Sequence, residues 1–157
     1  MSDLVIQSVD ATNQSEAKEM ILQGLKKHFG FLDRTLNPDL DDIVHAYLEK
    51  GQTFLVGLLA GEVVCSGALI QVDAQLGRIV RMSVKQEHRR KGYASRMIEA
   101  LEAVARDRGF GTITLKTLHH WEDAVGFYTA RGYRSSGLAG ESVTMVKVFG
   151  ENPYARD

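Results

Sequence analysis

Between Gly77 and Arg108 the chain reads GRIVRMSVKQEHRRKGYASRMIEALEAVARDR, and no other stretch restricts the fold as much. Arg78 to Val84 is β-branched and apolar, as a strand is, while Ala94 to Arg108 places apolar residues at helical spacing. Between them stands His88-Arg89-Arg90-Lys91-Gly92-Tyr93-Ala94. A strand that enters a cationic, glycine-containing turn and then a helix offers unpaired backbone N–H groups and the positive end of the helix dipole to an anion. Phosphate is the natural ligand class.

The rest of the chain supplies further elements in a readable order. Leu4 to Val9 is a short first strand. From Asn13, residues Ala17, Met20, Ile21, Leu25 and Phe29 recur at helical spacing, and Asn13 with Glu16 has the form of a capping box. Gly24 lies inside that helix, where it weakens it unless something packs close. Asn37 as cap, Pro38, three early aspartates (Asp39, Asp41, Asp42) and the apolar face Leu40, Ile43, Val44, Tyr47, Leu48 predict a second helix ended by Gly51.

Thr53 to Leu59 and Val63 to Val72 predict a hairpin around Ala60-Gly61-Glu62. A turn over Asp73 to Gly77 leads to the strand at Arg78, which completes a meander. The following helix turns Met97, Ile98, Leu101, Val104 and Ala105 inward and Glu99, Glu102, Arg106 and Asp107 to solvent, with Gly109 after its end. Thr112 to Thr117 is then a strand parallel to the one before the helix. Trp121 to Ala130 is a shorter helix, Tyr133 to Ser136 and Ser142 to Phe149 are a last pair of strands, and Glu151 to Asp157 is a polar tail.

With 157 residues, 44% of them hydrophobic and 25% charged, the chain suits one globular domain. A net charge of −1 leaves any anion site to local clustering, so neither nucleic acid nor a membrane is an expected partner. Cys65, the one cysteine, lies in an apolar run and is expected to be a small buried hydrophobe. The first residues have no cationic segment leading into a long apolar run, and no stretch is apolar for the length of a membrane span, so a cytoplasmic protein is expected.

Arg89-x-x-Gly92-x-Ala94, at the start of a helix after a strand, is followed at a distance by Tyr128-x-x-x-Gly132-Tyr133. In this pairing and element order the chain resembles the GCN5-related N-acetyltransferase (GNAT) superfamily, well over Thr53 to Phe149. The resemblance implies an α/β (α+β) fold, a mixed and mostly antiparallel sheet of about seven strands with a splayed central parallel pair, flanked by about four helices. It implies residues 1–157 as one domain, with acceptor-side helices at about 13–51 and an acyl-CoA core at about 53–149.

It also implies an enzyme that transfers the acetyl group of acetyl-CoA to a primary amine of a small molecule or peptide, by direct attack in a ternary complex and without a metal. Arg90, Lys91, Gly92, Tyr93, Ala94 and Ser95 would hold the pyrophosphate through backbone N–H groups, with Arg89 also on the cofactor. Met82, Ser83 and Val84 would hydrogen-bond the pantetheine, one N–H stabilising the oxyanion that forms on attack. Tyr128 would be the general acid toward the departing thiolate, with Phe127 and Trp121 also on the cofactor.

His120 and His119 are candidate bases, with Glu122 and Asp123 behind them. Arg81 is a candidate for positioning an acidic acceptor. The family often carries proline at the position of Gln86, glycine at that of Arg90 and asparagine at that of Trp121. A homodimer is compatible with the resemblance. The alternative is a non-catalytic acyl-CoA-binding or interaction module of the same fold; a nucleotide-binding P-loop is disfavoured because Arg89 to Ser95 lacks the Gly-x-x-x-x-Gly-Lys-Ser/Thr spacing.

Overall fold

The computed structural model describes residues 3–29, 37–118 and 122–149. Seven strands form one sheet in the order β1-β2-β3-β4-β5-β7-β6. They are β1 (Val5–Ser8), β2 (Thr53–Leu59), β3 (Glu62–Gln71), β4 (Leu76–Val84), β5 (Thr112–Leu118), β6 (Arg134–Ala139) and β7 (Ser142–Val148). Four α-helices accompany them among the described residues: α1 (Gln14–Phe29), α2 (Ile43–Ala46), α3 (Tyr93–Asp107) and α4 (Glu122–Ala130). The chain divides into two compact units, one from Met1–Ile70 with Arg81–Leu101, the other from Gln71–Val80 with Glu102–Asp157. No helix among the described residues is long and apolar enough to cross a membrane.

In the first unit the predicted hairpin forms as read. Leu59 pairs with Glu62, and Ala60 (φ 52°) with Gly61 (φ 84°) supplies the two left-handed residues that a tight hairpin turn requires. β1 pairs antiparallel with β2 from Val5↔Leu58 to Ser8↔Leu55. Phe54, Val56, Val63, Val64, Cys65, Ala68 and Leu69 are buried, as are Met97, Ile98 and Leu101 of α3. Burial also pushes the Cys65 thiol up to about 11, which suits the inert packing role expected of it.

Gly67 makes this packing tight. A Cβ built there would lie 2.7 Å from Leu101 Cδ1 and 2.9 Å from both Met82 Sδ and Met97 Cγ. Three side chains, two on α3 and one on β4, would have to shift together, so Gly67→Ala is expected to cost about 1–3 kcal/mol in urea denaturation. A cost near zero would show that the three side chains give way freely.

Two sequence expectations change here. The capping box at α1 does not form: the Asn13 carboxamide accepts the Asp10 N–H at 2.9 Å, and Glu16 Oε2 accepts the Val63 N–H at 2.9 Å. Nor is the second helix continuous. A 3-10 turn at Pro38–Leu40, α2 and a 3-10 turn at Leu48–Lys50 share the segment. Asn37 makes no side-chain cap bond; Asp42 caps instead, accepting the His45 N–H at 3.1 Å. The apolar positions still turn inward, with Leu40, Ile43 and Tyr47 buried, and Gly51 ends the segment at φ 77°.

In the second unit β4 and β5 are parallel, with Leu76↔Thr112, Gly77↔Ile113 and Arg78↔Thr114 in register. β5 pairs antiparallel with β7 from Thr112↔Val148 to Leu118↔Ser142, and β6 pairs antiparallel with β7 at the sheet edge. Ile113, Leu115, Tyr128, Tyr133, Val143 and Met145 are buried. Glu102, expected on the solvated face of α3, is buried instead, at 6% exposure. Its partners explain that: Tyr133 Oη donates to Glu102 Oε2 at 2.9 Å, and Lys147 Nζ donates to Oε1 and Oε2 at 3.1 and 3.2 Å. A carboxylate so paired tolerates burial.

Candidate active site

The residues that carry the family resemblance lie on three pieces of chain. Met82, Ser83 and Val84 form the end of β4 and are half-buried. The chain then makes a 3-10 turn at Gln86–His88 and reaches α3 through Arg89 to Gly92, all four exposed. Lys85 closes this corner: its N–H donates to Val64 O at 2.8 Å, and its Nζ to Glu62 Oε2 at 2.5 Å. The Glu62 carboxyl is held below its usual value by that lysine, first through the hydrogen bond and then through charge.

The loop has the backbone that close approach to an anion requires. Arg90 (φ 64°) and Gly92 (φ 83°) are both left-handed, and a Cβ built on Gly92 would meet nothing within 4 Å. Alternating residues of this kind turn successive N–H groups toward a common side, and α3 adds its unpaired first-turn donors and its dipole. The open space at Gly92 and the exposed cations at Arg89, Arg90 and Lys91 fit a pyrophosphate.

Arg90 stands where the family often has glycine, and its positive φ shows why glycine suits the position. Arg90→Gly is expected to stabilise the fold by about 0.5 kcal/mol. That is the left-handed cost of about 1–2 kcal/mol, less about 1 kcal/mol of added freedom in the unfolded chain. Urea denaturation reads this directly, and a net loss would mean that the arginine side chain itself holds the turn.

His88, which the sequence marks only as one charge of a basic turn, has its Nδ1 buried with no hydrogen-bond partner among the described residues. Its ring lies 6.2 Å from that of Tyr93. Only the tertiary packing reveals this orphaned atom beside the loop. Below the loop runs a groove of about 620 Å³, lined on one side by α1 from Glu16 to Lys26 and on the other by Val84 to Glu87 and Arg89. At Gly24 a Cβ would lie 3.4 Å from Ser83 Oγ, so α1 passes within ordinary contact distance of the end of β4.

Arg81 departs from its expected role. Its guanidinium is already committed, Nε donating to Asp39 Oδ2 at 3.0 Å and an Nη to Oδ1 at 2.7 Å. Tyr47 Oη donates to the same Asp39 Oδ2 at 2.7 Å. Burial works to raise the Asp39 carboxyl, but the bonds from Arg81 and Tyr47 outweigh it and hold the group below the usual carboxylate range. The aspartates read as helix-start charge thus divide their work: Asp39 binds Arg81, Asp41 pairs with Lys18 at 2.8 Å, and Asp42 caps α2.

Tyr128 lies on α4 and is 9% exposed. Its ring packs edge-on against Phe127 at 5.1 Å and Tyr133 at 5.7 Å. Among the described residues none forms a hydrogen bond with its hydroxyl, and burial alone pushes the phenol up to about 12. It is therefore a neutral donor at ordinary pH. Phe127 is half-buried, with the Arg131 guanidinium 4.2 Å above its ring. The candidate bases His119 and His120, and Trp121, lie outside the described residues, as does the side chain of Glu122; Asp123 is exposed.

The chain spans about half the length of the curated relatives it matches. It is 30% identical to mouse (Mus musculus) probable N-acetyltransferase family 8 member 5 over 74% of this chain and 53% of that protein. With rat (Rattus norvegicus) N-acetyltransferase 8 the identity is 31% over 68% of this chain and 51% of that protein. Among solved structures, a GNAT-family acetyltransferase from Staphylococcus aureus Mu50 superposes with a TM-score of 0.85 at 22% identity, covering 94% of this chain and 100% of that one. The PaiA N-acetyltransferase from Thermoplasma acidophilum, solved in complex with coenzyme A, gives 0.81 at 14% identity over 94% and 99%. These likenesses match the seven-stranded mixed sheet and its parallel β4–β5 pair. The profile of the Acetyltransferase (GNAT) family matches residues 19–133, and with the relatives at this identity it follows that the chain belongs to that family.

Proposed function

We propose that residues 1–157 act as one acetyltransferase domain that moves the acetyl group of acetyl-CoA to an amine of a small molecule or peptide. The observation that carries this reading is the turn into α3, where left-handed Arg90 and Gly92 leave backbone donors and cations exposed ahead of a 15-residue helix. Similar folds have been solved with coenzyme A, and one from Salmonella typhimurium with acetyl-CoA, while the curated relatives are named N-acetyltransferases. Acetyl-CoA supplies an acetyl group already activated as a thioester, so the protein has to bind, orient and stabilise charge.

In this reading the N–H groups of Arg90 to Ser95 take the pyrophosphate, the Arg89 N–H being already donated to Gln86 O at 3.2 Å, and those of Met82 to Val84 take the pantetheine and the thioester oxygen. Tyr128 donates its phenolic proton toward the departing sulfur, a task for which a neutral, buried hydroxyl is suited. His120 or His119 relieves the amine of its proton, and Phe127 and Trp121 pack on the cofactor. The exposed edge strand β6 is where a second copy would pair, and a cytoplasmic location belongs to the same reading.

The test is thiol release from acetyl-CoA against a panel of polyamines, amino acids, aminoglycosides and peptide N-termini, with binding of acetyl-CoA followed by calorimetry. Turnover with one amine class supports the enzyme. Tight binding of acetyl-CoA with no turnover by any amine would support the binding-module alternative, and no binding at all would end both.

A further inference from the structure

Arg81 is the one residue of β4 with a positive φ, at 59°. An L-residue with a long side chain relaxes from that conformation into the extended region unless its surroundings hold it, and such residues are found where function requires a particular backbone direction. In this chain three groups hold it. The buried Ser66 hydroxyl donates to the Arg81 carbonyl at 2.8 Å. Asp39 grips the guanidinium through both carboxylate oxygens, at 3.0 and 2.7 Å. Tyr47 fastens Asp39 in turn at 2.7 Å, with its own ring buried edge-on against Phe54 at 5.1 Å.

The two ends of this chain of bonds are anchored in the core, since Tyr47, Phe54 and Ser66 are all buried. The pair in the middle is only partly exposed, at 20% for the Arg81 side chain and 29% for Asp39. Three hydrogen bonds already occupy the Asp39 oxygens, which makes this carboxylate a poor receptor for a substrate amine. The next residues along β4 are Met82, Ser83 and Val84; the Met82 N–H direction follows from the Arg81 dihedrals because the peptide unit between them is planar, and the course of the strand through Ser83 and Val84 starts from there.

Resting on the acetyltransferase reading above, we propose that Asp39, Tyr47 and Ser66 are positioning residues that clamp Arg81 in its left-handed conformation and so aim the backbone donors of Met82 to Val84 at the thioester. The clamp acts on the transition state and not on the pyrophosphate, which the loop ahead of α3 holds.

Glycine adopts a positive φ without a clamp, and this provides the test. Asp39→Ala is expected to lower kcat by about 10-fold or more, since small misalignments at a reacting centre have effects of that order, with KM for acetyl-CoA within about two-fold. Arg81→Ala, which keeps a Cβ but loses the clamp, is expected to be as slow. The double variant Asp39→Ala/Arg81→Gly is expected to recover kcat to within about two-fold of wild type. Amide chemical shifts of Met82 and Ser83 should move in Asp39→Ala and return in the double variant. Lys18→Ala, which breaks only the exposed neighbouring pair with Asp41, serves as the control and should change neither readout.

If Asp39→Ala does not fold, Asp39→Asn keeps the volume and weakens the grip, with the same split expected. An active wild type whose Asp39 variants keep full kcat overturns the clamp alone, as does a double variant no faster than Asp39→Ala. A wild type that neither binds acetyl-CoA nor turns over any amine overturns the acetyltransferase reading and the clamp with it.

Discussion

Tyr128→Phe is expected to lower kcat by about 10²-fold, within the usual range for loss of a positioned proton donor, while the dissociation constant for acetyl-CoA stays unchanged. Phenylalanine preserves the edge-on packing against Phe127 and Tyr133, so the substitution removes the hydroxyl and little else. The pH profile carries a second expectation. Burial raises the phenol to about 12, so the donor form is fully present at neutral and mildly alkaline pH and is lost only as pH rises through that value. No alkaline fall in kcat below it should therefore be assignable to Tyr128. In the unfolded chain tyrosine ionises near about 10, so the same burial makes folding stability decline as pH climbs from there toward the folded value. Wild-type kcat in Tyr128→Phe would remove the tyrosine from the chemistry.

Lys147→Met is expected to destabilise the second unit by about 3 kcal/mol, because it leaves the Glu102 charge buried and supported only by a phenol. Glu102 is 6% exposed, and Lys147 touches both its oxygens while Tyr133 touches one. The lysine side chain keeps 23% exposure, which places the cost at the lower end for a broken buried pair. The Tyr133 phenol is raised by its own burial first and by the Glu102 charge second, so it remains a donor to that carboxylate. Adding Glu102→Gln to Lys147→Met removes the stranded charge and should return most of the loss. Urea denaturation of both variants measures the pair, and equal stability of Lys147→Met and wild type would show that water reaches Glu102.

Much of the fold was legible because it is written in short-range patterns. The hairpin at Ala60-Gly61, the helix over Met97 to Ala105 and the strand at Thr112 follow from alternation, from the 3.6-residue period and from turn chemistry, each contained in a few neighbouring residues. Polar partnerships were not legible. Glu102 occupies a position on α3 that periodicity alone assigns to water, and its partners Tyr133 and Lys147 stand 31 and 45 residues further on. Asp39 looks like ordinary helix-start charge, and its partner Arg81 is 42 residues away. Asn13 and Glu16 match a capping box, yet each found another backbone donor, Glu16 one 47 residues distant. The broken second helix has the same origin: packing of Leu40, Ile43 and Tyr47 was kept while the continuous hydrogen-bond ladder was given up.

By itself, then, the sequence determined the order of the elements, the cationic turn from Arg89 to Ala94, the spacing of Tyr128 from it and through these the family. Those properties depend on residues near one another along the chain. The tertiary structure alone decided the left-handed Arg81 and its grip by Asp39, the buried Glu102 with its lysine, and the His88 nitrogen that has no partner among the described residues. Each depends on which distant polar group arrives within hydrogen-bonding reach, a matter of three-dimensional packing on which local periodicity is silent.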